Sequence, residues 1–163
     1  MKNKNNFAFI DSQNLNLSIR GQGWILDYAR FRKYLSDRFG VTKAYLFIGF
    51  VSNNQSLYTA LQEAGYVLIF KPTLKLPNET YKGNVDAELV LHAMIQIKNY
   101  NQAIIVTGDG DFHCLVEYLI GQEKLFRLVI PNKYRFSSLL RKFVLYISFL
   151  NGTQNKLGKQ KKA

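Results

Sequence analysis

Short apolar runs alternate with segments of helical periodicity along the whole chain. The apolar runs have no internal alternation of polar and apolar positions, and they occupy residues 7–10, 44–50, 66–70, 103–106 and 126–130. Continuous runs of this kind predict strands that are covered on both faces. Apolar residues spaced three or four apart predict helices over residues 28–39, 54–64, 84–98 and 112–121. This alternation predicts right-handed crossovers and a parallel sheet.

The predicted fold class is α/β, with a central, mostly parallel sheet of five to six strands and helices on both faces. In the first predicted helix, Asp27 is a candidate N-cap, and Gly40 follows the last apolar position. In the second, the spacing places four residues toward the core, namely Leu57, Ala60, Leu61 and Ala64. Near the end of the chain, residues 137–143 predict a further helix and residues 144–149 a last edge strand.

Length and composition are those of one domain in a reducing compartment. A chain of 163 residues can bury roughly 70% of its unfolded surface without a disulfide or metal staple. Cys114 is the single cysteine and can form no internal bridge. The apolar run before Asp11 has only four residues, so the start of the chain predicts neither a signal peptide nor a membrane span. We therefore expect a cytoplasmic protein.

The charge balance of the chain indicates the kind of partner that it binds. Lysine and arginine number 22 against 11 aspartate and glutamate, which gives a net charge of +11. Such an excess indicates a polyanionic partner such as nucleic acid. A membrane surface is disfavoured because no segment combines a basic face with a continuous apolar face.

Acidic residues stand at the ends of two predicted strands. Asp11 directly follows residues 7–10, and Asp109 and Asp111 follow residues 103–106. In doubly wound sheets, ligands bind at the carboxyl ends of the strands, near the point where strand order reverses. If the first and fourth strands are neighbours there, these carboxylates open into one crevice.

A fourth acid, Asp86, lies inside the apolar stripe of its predicted helix. Helical spacing aligns it with four apolar residues, namely Leu89, Val90, Ala93 and Ile97. A favourable position in the helix dipole stabilises such a residue by only about 0.3 to 1 kcal/mol. Dipole energy therefore does not account for an inward-facing carboxylate. Glu88 and His92, on the other flank, have the spacing of an ordinary solvated pair.

The acids also have structural interpretations. Asp109 and Asp111 can serve a turn and a helix N-cap, and Asp11 can cap the segment that follows it. A cluster of four carboxylates is nevertheless unfavourable unless a cation offsets the charge. Hard oxygen ligands suit Mg²⁺ or Mn²⁺ better than zinc. A carboxylate-bound divalent ion on a basic protein indicates phosphodiester hydrolysis by metal-activated water.

Two predicted loops carry basic and aromatic residues to the same edge of the sheet. Lys71, Lys75, Tyr81 and Lys82 follow the third strand, and Lys133, Tyr134 and Arg135 follow the fifth. Cations that hold a backbone and tyrosines that stack on unpaired bases are typical of binding to single-stranded RNA. The simpler alternative, that these loops are merely hydrophilic, stays open.

The ordered motifs FIDSQN, KGNVD, VTGDGDF, SSLLRKF and YISFLN give the chain a family resemblance. It resembles the NYN domain of the PIN-like nuclease superfamily, in the LabA-like branch, over residues 7–150. The resemblance implies a three-layer, Rossmann-like fold with a metal-dependent ribonuclease site. Residues 1–6 are then a short lead, and residues 151–163 a lysine-rich tail that we expect to be disordered.

Motif by motif, the resemblance assigns Asp11 and Asn14 to the first motif, Lys82 and Asp86 to the second, and Thr107, Asp109 and Asp111 to the third. The expected metal ligands are the four aspartates, and the expected catalytic set adds Asn14. The expected substrate-binding residues are Ser12, Lys71, Lys75, Tyr81, Lys82, Thr107, Lys133, Tyr134 and Arg135. The chain departs from many relatives at His92, near which they carry a further aspartate.

The predicted function is hydrolysis of RNA by water that Mg²⁺ or Mn²⁺ activates, with internal cleavage favoured over cleavage from an end. A catalytically weak RNA-binding or regulatory scaffold is the alternative. A phosphatase of the haloacid dehalogenase type is disfavoured because one acid, not two, follows the first strand. A dinucleotide-binding enzyme would need a glycine-rich turn there. A homodimer and an inhibitory protein partner both stay open.

Overall fold

The computed structural model describes residues 4–50, 52–72, 74–75, 81–82 and 85–160. Strands and helices alternate through most of this length. The strands are β1 (Asn6–Asp11), β2 (Val41–Phe50), β3 (Tyr66–Pro72), β4 (Leu74–Lys75), β5 (Tyr81–Lys82), β6 (Ala103–Val106), β7 (Leu125–Ile130) and β8 (Ile147–Phe149). The helices are α1 (Ser12–Arg20), α2 (Tyr28–Phe39), α3 (Gln55–Glu63), α4 (Asp86–Ile95), α5 (His113–Gly121) and α6 (Gln154–Leu157), with 3-10 segments at Ser52–Asn54, Gly110–Phe112 and Ser138–Tyr146.

Six strands form one parallel sheet in the order β3-β2-β1-β6-β7-β8, and β4 pairs with β5 in a separate antiparallel hairpin. The first strand lies between β2 and β6, so strand order reverses between β1 and β6. Their register pairs Ile10 with Val106, which brings the residues after both strands to the same point of the sheet edge. The predicted α/β class with a parallel sheet of five to six strands is confirmed.

The core has two halves, one on each face of the sheet. Along β1, Ala8 and Ile10 join the half that contains buried residues of α1, α2, α3 and α6. Phe7 and Phe9 point to the other face and join the half that contains buried residues of α4 and α5. Continuous apolar strands are therefore required because both faces are covered. The result is a three-layer arrangement.

The first predicted helix is confirmed at both ends. The Asp27 side chain accepts a hydrogen bond from the backbone N–H of Arg30 at 3.1 Å, and α2 begins at the next residue. Gly40 ends the helix in the left-handed region, with φ of 66°, a conformation that glycine adopts without steric strain.

Two helices differ from their predictions. The predicted face of α3 is wrong in part, since Tyr58 and Leu61 are buried whereas Leu57 is 45% exposed. The reason is that α3 covers the edge strand β3, where the Tyr58 ring packs 4.8 Å from that of Phe70. Helix α1 was not predicted, because its sequence is rich in serine and asparagine, but the Asp11 side chain caps its first turn.

The end of the chain also differs from its prediction. Residues 154–157 form a short helix in which Leu157 is fully buried, rather than part of a disordered tail. The Asp27 N–H donates to the Leu157 carbonyl at 2.8 Å, and Leu26 pairs with Gly158 in an antiparallel bridge. One buried leucine and these backbone hydrogen bonds outweigh the polar composition. Within the described residues, no helix has the length and apolar character needed to cross a bilayer.

Candidate metal centre

Asp11 is the last residue of β1 and is only 5% exposed. Its Oδ1 accepts a hydrogen bond from the Asn14 backbone N–H at 3.2 Å. Its Oδ2 accepts one from the hydroxyl of Thr107, the residue after β6, at 3.1 Å. The carboxylate is thus held in one orientation by the first turn of α1 and by the residue that follows β6.

The loop after β6 holds Asp109 through a chain of hydrogen bonds. The Asp109 N–H donates to the Thr107 hydroxyl oxygen at 3.1 Å, and the Asp109 Oδ1 accepts from the Asp111 N–H at 2.9 Å. Between them, the Gly108 N–H donates to the side-chain oxygen of Asn14 at 2.8 Å. Asp109 is consequently fixed to the same framework as Asp11.

Asp86 belongs to a third segment of the chain and is the first residue of α4. This helix packs its buried Leu89 and Ala93 against the sheet on the β1 side, so its first turn reaches the carboxyl ends of the strands. One oxygen each of Asp11, Asp86 and Asp109 lies within 4.8 Å of the other two. They open into a cavity of about 210 Å³, which is lined by Asp11, Gln13, Asn14, Leu17, Val85, Asp86 and Asp109.

The three carboxylates suit a divalent cation in chemistry and spacing. Their oxygens are hard ligands, and two opposite ligands of one magnesium ion lie about 4.2 Å apart, so small side-chain adjustments suffice. Burial raises the pKa of Asp11 above its usual value, and the nearby Asp109 charge raises it further, whereas hydrogen bonds from Asn14 and Thr107 oppose the rise. A bound cation would relieve both unfavourable effects. The acidic group could therefore hold a divalent metal.

The structural roles of the acids coexist with this cluster. The Asp11 carboxylate caps α1, and the Asp109 carboxylate caps the 3-10 turn that precedes α5. An ionised carboxylate offers about four acceptor sites. Two hydrogen bonds on Asp11 and one on Asp109 leave acceptor capacity for a cation.

Other predicted members of the site occupy different positions. Asp111 is exposed and does not belong to the group of three; its backbone N–H supports Asp109 instead. The side-chain oxygen of Asn14 is engaged with Gly108 and positions that loop. Thr107 is fully buried, so it orients the Asp11 carboxylate and the Asp109 backbone and cannot touch RNA, a correction to its predicted role. Ser12 is also buried and is hydrogen-bonded to the Tyr28 phenol.

The expectation of a solvated Glu88–His92 pair is wrong. Lys71 Nζ lies 3.9 Å from Glu88 Oε2, so this predicted RNA-binding lysine faces α4. The His92 ring packs 5.6 Å from the ring of Phe47 and is not part of the acidic group. Helix α4 covers β2 as well as β1, and its sheet-facing surface is wider than the apolar stripe alone indicates. The side chains of Lys75, Tyr81 and Lys82 lie outside the described part of the structure.

The loop after β7 lies directly against the acidic loop. The Ser137 N–H donates to the Gly108 carbonyl at 3.0 Å. Buried Asn132 accepts from the Tyr134 N–H at 3.0 Å, and Asn151 accepts from the Lys133 N–H at 2.8 Å. These bonds fix the backbone of the loop, while the side chains of Lys133, Tyr134 and Arg135 remain exposed.

Sequence reasoning missed several residues that line the cavity, chiefly Gln13, Leu17 and Val85. A signal for two of them was present. Gln13 and Leu17 lie four residues apart just after Asp11, and Asn16 and Arg20 share that helical spacing. A predicted helix with Asp11 as its N-cap would therefore have placed Gln13 and Leu17 on one helical face.

Gly110 makes the close contact between the two loops possible. A Cβ added there would lie 2.7 Å from the Cβ of Ser137, closer than packed side chains allow. We expect Gly110→Ala to lower the free energy of unfolding by about 1 to 3 kcal/mol, because this clash outweighs the gain of about 0.4 to 1 kcal/mol from a stiffer unfolded chain. Urea unfolding measures the effect.

Two further variants test the cause. Ser137→Gly removes the opposing atoms, so adding it to Gly110→Ala should restore part of the lost stability. Gly121→Ala is the matched control, since an added Cβ there meets nothing within 4 Å. Equal losses for the alanine variants at 110 and 121 would refute the steric explanation.

Comparisons with known proteins agree with this fold. The chain matches the NYN domain family over residues 7–148. It is 26% identical over 121 residues to the low amplitude and bright protein LabA of Synechococcus elongatus; the match covers 68% of this chain and 65% of LabA, less than two thirds of that relative's length. The crystal structure of a Vibrio parahaemolyticus protein of unknown function matches with a TM-score of 0.75 at 21% identity, over 93% of this chain and 96% of that chain. The structural likeness shows the shared fold.

Proposed function

The chain belongs to the NYN domain family, and on that premise we propose that it is a ribonuclease that uses Mg²⁺ or Mn²⁺ to hydrolyse RNA phosphodiester bonds. The observation that carries this proposal is the meeting of Asp11, Asp86 and Asp109, with oxygens within 4.8 Å of one another, at the edge of the sheet where strand order reverses. These residues come from three separate segments of the chain, and the fold is what brings them together.

Each part of the site has a separate task in this proposal. A divalent ion held by Asp11, Asp86 and Asp109 would supply a water of lowered pKa and would neutralise charge on the phosphate. Thr107 and Asn14 hold the Asp11 carboxylate and the backbone of residues 108–109 in position through the hydrogen bonds described above. Such fixed second partners are what orient carboxylate ligands in metal sites.

RNA is the substrate that the charge distribution favours. The chain carries a net charge of +11 although its candidate centre is acidic. Lys133 and Arg135 are exposed on a loop that contacts Gly108, and Tyr134 between them is 78% exposed. Cations and an exposed aromatic ring side by side suit the backbone and the unpaired bases of a single strand.

We favour internal cleavage because cations lie on both sides of the carboxylates. The Lys133–Arg135 loop lies on the β7 side, and Arg20 and Lys159 line a cavity on the β2 side. A strand could continue past the acidic centre in both directions. A circular RNA distinguishes the two modes, since an enzyme that needs an end cannot cut it.

A catalytically weak, RNA-binding scaffold is the second candidate. The observation that favours it is that the Asp11 and Asp109 carboxylates cap α1 and the 3-10 turn Gly110–Phe112. Structural roles alone would then account for two of the three acids. The two candidates differ in metal-dependent cleavage, because the scaffold binds RNA and leaves it intact.

The decisive experiment incubates the purified protein with linear and circular single-stranded RNA. Mg²⁺, Mn²⁺ or a chelator is added in separate reactions, and products are separated on denaturing gels. We expect cleavage of both RNAs with either ion and none with the chelator. RNA that binds yet stays intact under every condition would replace the ribonuclease proposal by the scaffold.

A further prediction concerns the salt dependence of RNA binding. Each phosphate contact contributes about 0.7 to the log-log slope on single strands. Replacing Lys133 and Arg135 together by glutamine should therefore lower the slope by roughly 1.4, measured between about 50 and 200 mM salt.

The control for this variant removes two exposed lysines elsewhere on the protein. Lys43 lies near the start of β2, and Lys98 follows the C-terminal end of α4, so both are at the opposite edge of the sheet. The double change to glutamine there has the same effect on net charge. If both double variants reduce the slope equally, general charge and not this loop guides the RNA.

A further inference from the structure

A second cavity lies beside the candidate metal centre and is larger, at about 410 Å³. Gln13 and Val85 line both cavities, so the two are neighbours across the first turn of α1. The walls of the larger cavity come from α1, α3, the carboxyl end of β2, residues 25–28 and the C-terminal segment. Its volume falls within the range of about 300 to 1,000 Å³ that is typical of small-molecule sites.

The walls of this cavity divide into an apolar part and a polar part. The apolar part comes from the carboxyl end of β2, from α3 and from residues 25–28, and its members include Ile25, Ile48 and Leu57. The polar part comes from one face of α1, where Gln13 and Asn16 present side-chain amides. A ligand of this cavity therefore needs an apolar surface for the first wall and hydrogen-bonding groups for the amides of the second.

The charged residues among the described lining are both cations. Arg20 stands at the end of α1, where its Nε donates to the Asn16 side-chain oxygen at 3.4 Å. Lys159 comes from the C-terminal segment, which its own N–H ties to the Ile25 carbonyl at 2.8 Å. The buried Leu157 anchors this segment, so Lys159 is part of the folded domain. An occupant therefore also needs an anionic portion.

We propose that this cavity binds one nucleotide of the RNA substrate, with the base against the apolar wall and a phosphate toward Arg20 and Lys159. A nucleotide combines a flat, weakly polar ring with a charged phosphate, as these walls require. The position beside the three carboxylates makes it the subsite next to the bond that is cut. The position next to the cleaved bond rests on the proposed ribonuclease function, whereas binding of a nucleotide in this cavity does not.

Methyl-resolved NMR of the full chain tests whether the cavity binds nucleotides at all, without any need for cleavage. Nucleoside monophosphates are titrated to millimolar concentration with no divalent ion present. We expect shifts of the Ile25, Ile48 and Leu57 methyl signals and none for Ile95 and Leu145, which are exposed elsewhere. Absence of shifts in the cavity methyls for all four nucleotides overturns the assignment, whether or not the protein cleaves RNA.

A filled cavity gives the second test. Leu57 is 45% exposed, so Leu57→Trp can place its ring in the cavity without a change to the core. We expect nucleotide affinity to fall at least tenfold in this variant. The control is Leu145→Trp, at a position that is 88% exposed on the 3-10 segment Ser138–Tyr146, and its affinity should be unchanged. Equal effects of both substitutions overturn the assignment.

Binding of RNA distinguishes a nucleotide within an RNA substrate from a free nucleotide as the ligand of this cavity. If the cavity is a substrate subsite, Leu57→Trp weakens binding of a short single-stranded RNA at least tenfold as well. Nucleotide binding that is lost in this variant while RNA affinity is retained overturns the subsite and leaves a separate nucleotide site.

The ribonuclease proposal can fail independently of this one. Methyl shifts and weaker RNA binding in Leu57→Trp, together with intact RNA in every metal-containing reaction, would support the nucleotide subsite on a protein that does not cleave.

Discussion

Replacement of Asp86 by asparagine is expected to reduce metal-dependent RNA cleavage by at least about 100-fold and to leave RNA affinity unchanged or slightly higher. Loss of residues that merely support a metal ligand reduces affinity or activity by about 10- to 100-fold, so loss of a ligand should have at least the larger effect. The change also removes a negative charge from the place that a phosphate must approach. Initial rates and filter-binding affinities, measured on the same RNA, report the two effects separately.

The matched control for this prediction is Glu88→Gln, two residues further along the same helix. Glu88 is likewise an acid of α4, but it lies against Lys71 and is not one of the three grouped carboxylates. This variant should therefore retain cleavage within a few-fold of the unchanged protein. Equal losses of binding and cleavage in Asp86→Asn, or equal losses of cleavage in both variants, would count against Asp86 as a metal ligand.

Much of the geometry around Asp86 follows from the sequence, because it depends on periodicity. The four-residue spacing of Asp86, Val90 and the following apolar positions already turns this carboxylate toward the sheet. In the same way, Asp11 and Asp109 follow continuous apolar runs, and parallel strands that are neighbours end at the same edge. The types of most elements, the parallel sheet and, once β1 and β6 are neighbours, the meeting of three acids can therefore be predicted from the sequence, whereas the strand order itself comes from the structure.

The separate roles of the polar residues cannot be predicted from the sequence. Asp109 and Asp111 are two residues apart in one motif, yet one side chain faces the cavity and the other solvent. The difference arises from the 3-10 turn at Gly110, which Asp109 caps. Thr107 and Asn14 likewise have roles that individual hydrogen bonds decide. Spacing alone does not specify which atom accepts from which donor.

Elements at the margins of the sheet were also poorly predicted. A helix that covers an edge strand has a wide choice of contact face, and in α3 the buried face includes Tyr58, whose ring packs against Phe70 of β3. At the C-terminus, buried Leu157 and backbone hydrogen bonds to residues 25–27 anchor a polar segment. In both places contacts between residues distant in sequence outweigh local composition, and local composition is what a sequence pattern reports.

The raised pKa of Asp11 makes the stability of the folded protein depend on pH. Burial raises its folded-state pKa above that of the unfolded chain, so the folded state holds the proton more tightly. The metal-free protein is then most stable, with respect to this group, below the unfolded pKa, and it loses that stability as the pH rises through the folded pKa. At neutral pH, the ionised Asp11 carboxylate therefore destabilises the metal-free folded state, and a bound cation would offset this effect.

Divalent cations are therefore expected to raise the melting temperature at neutral pH, and Asp11→Asn to abolish that increase. At about 100 times its dissociation constant, a ligand of the folded state adds about 2.7 kcal/mol, which corresponds to roughly 5 to 10 °C for a chain of this size. Without metal, Asp11→Asn should melt higher than the unchanged protein because a desolvated charge is gone. The control Asp37→Asn removes an exposed acid of α2 and should retain the full metal effect. If the ions stabilise Asp11→Asn as strongly as the unchanged protein, they bind elsewhere, and the three grouped carboxylates serve the fold alone.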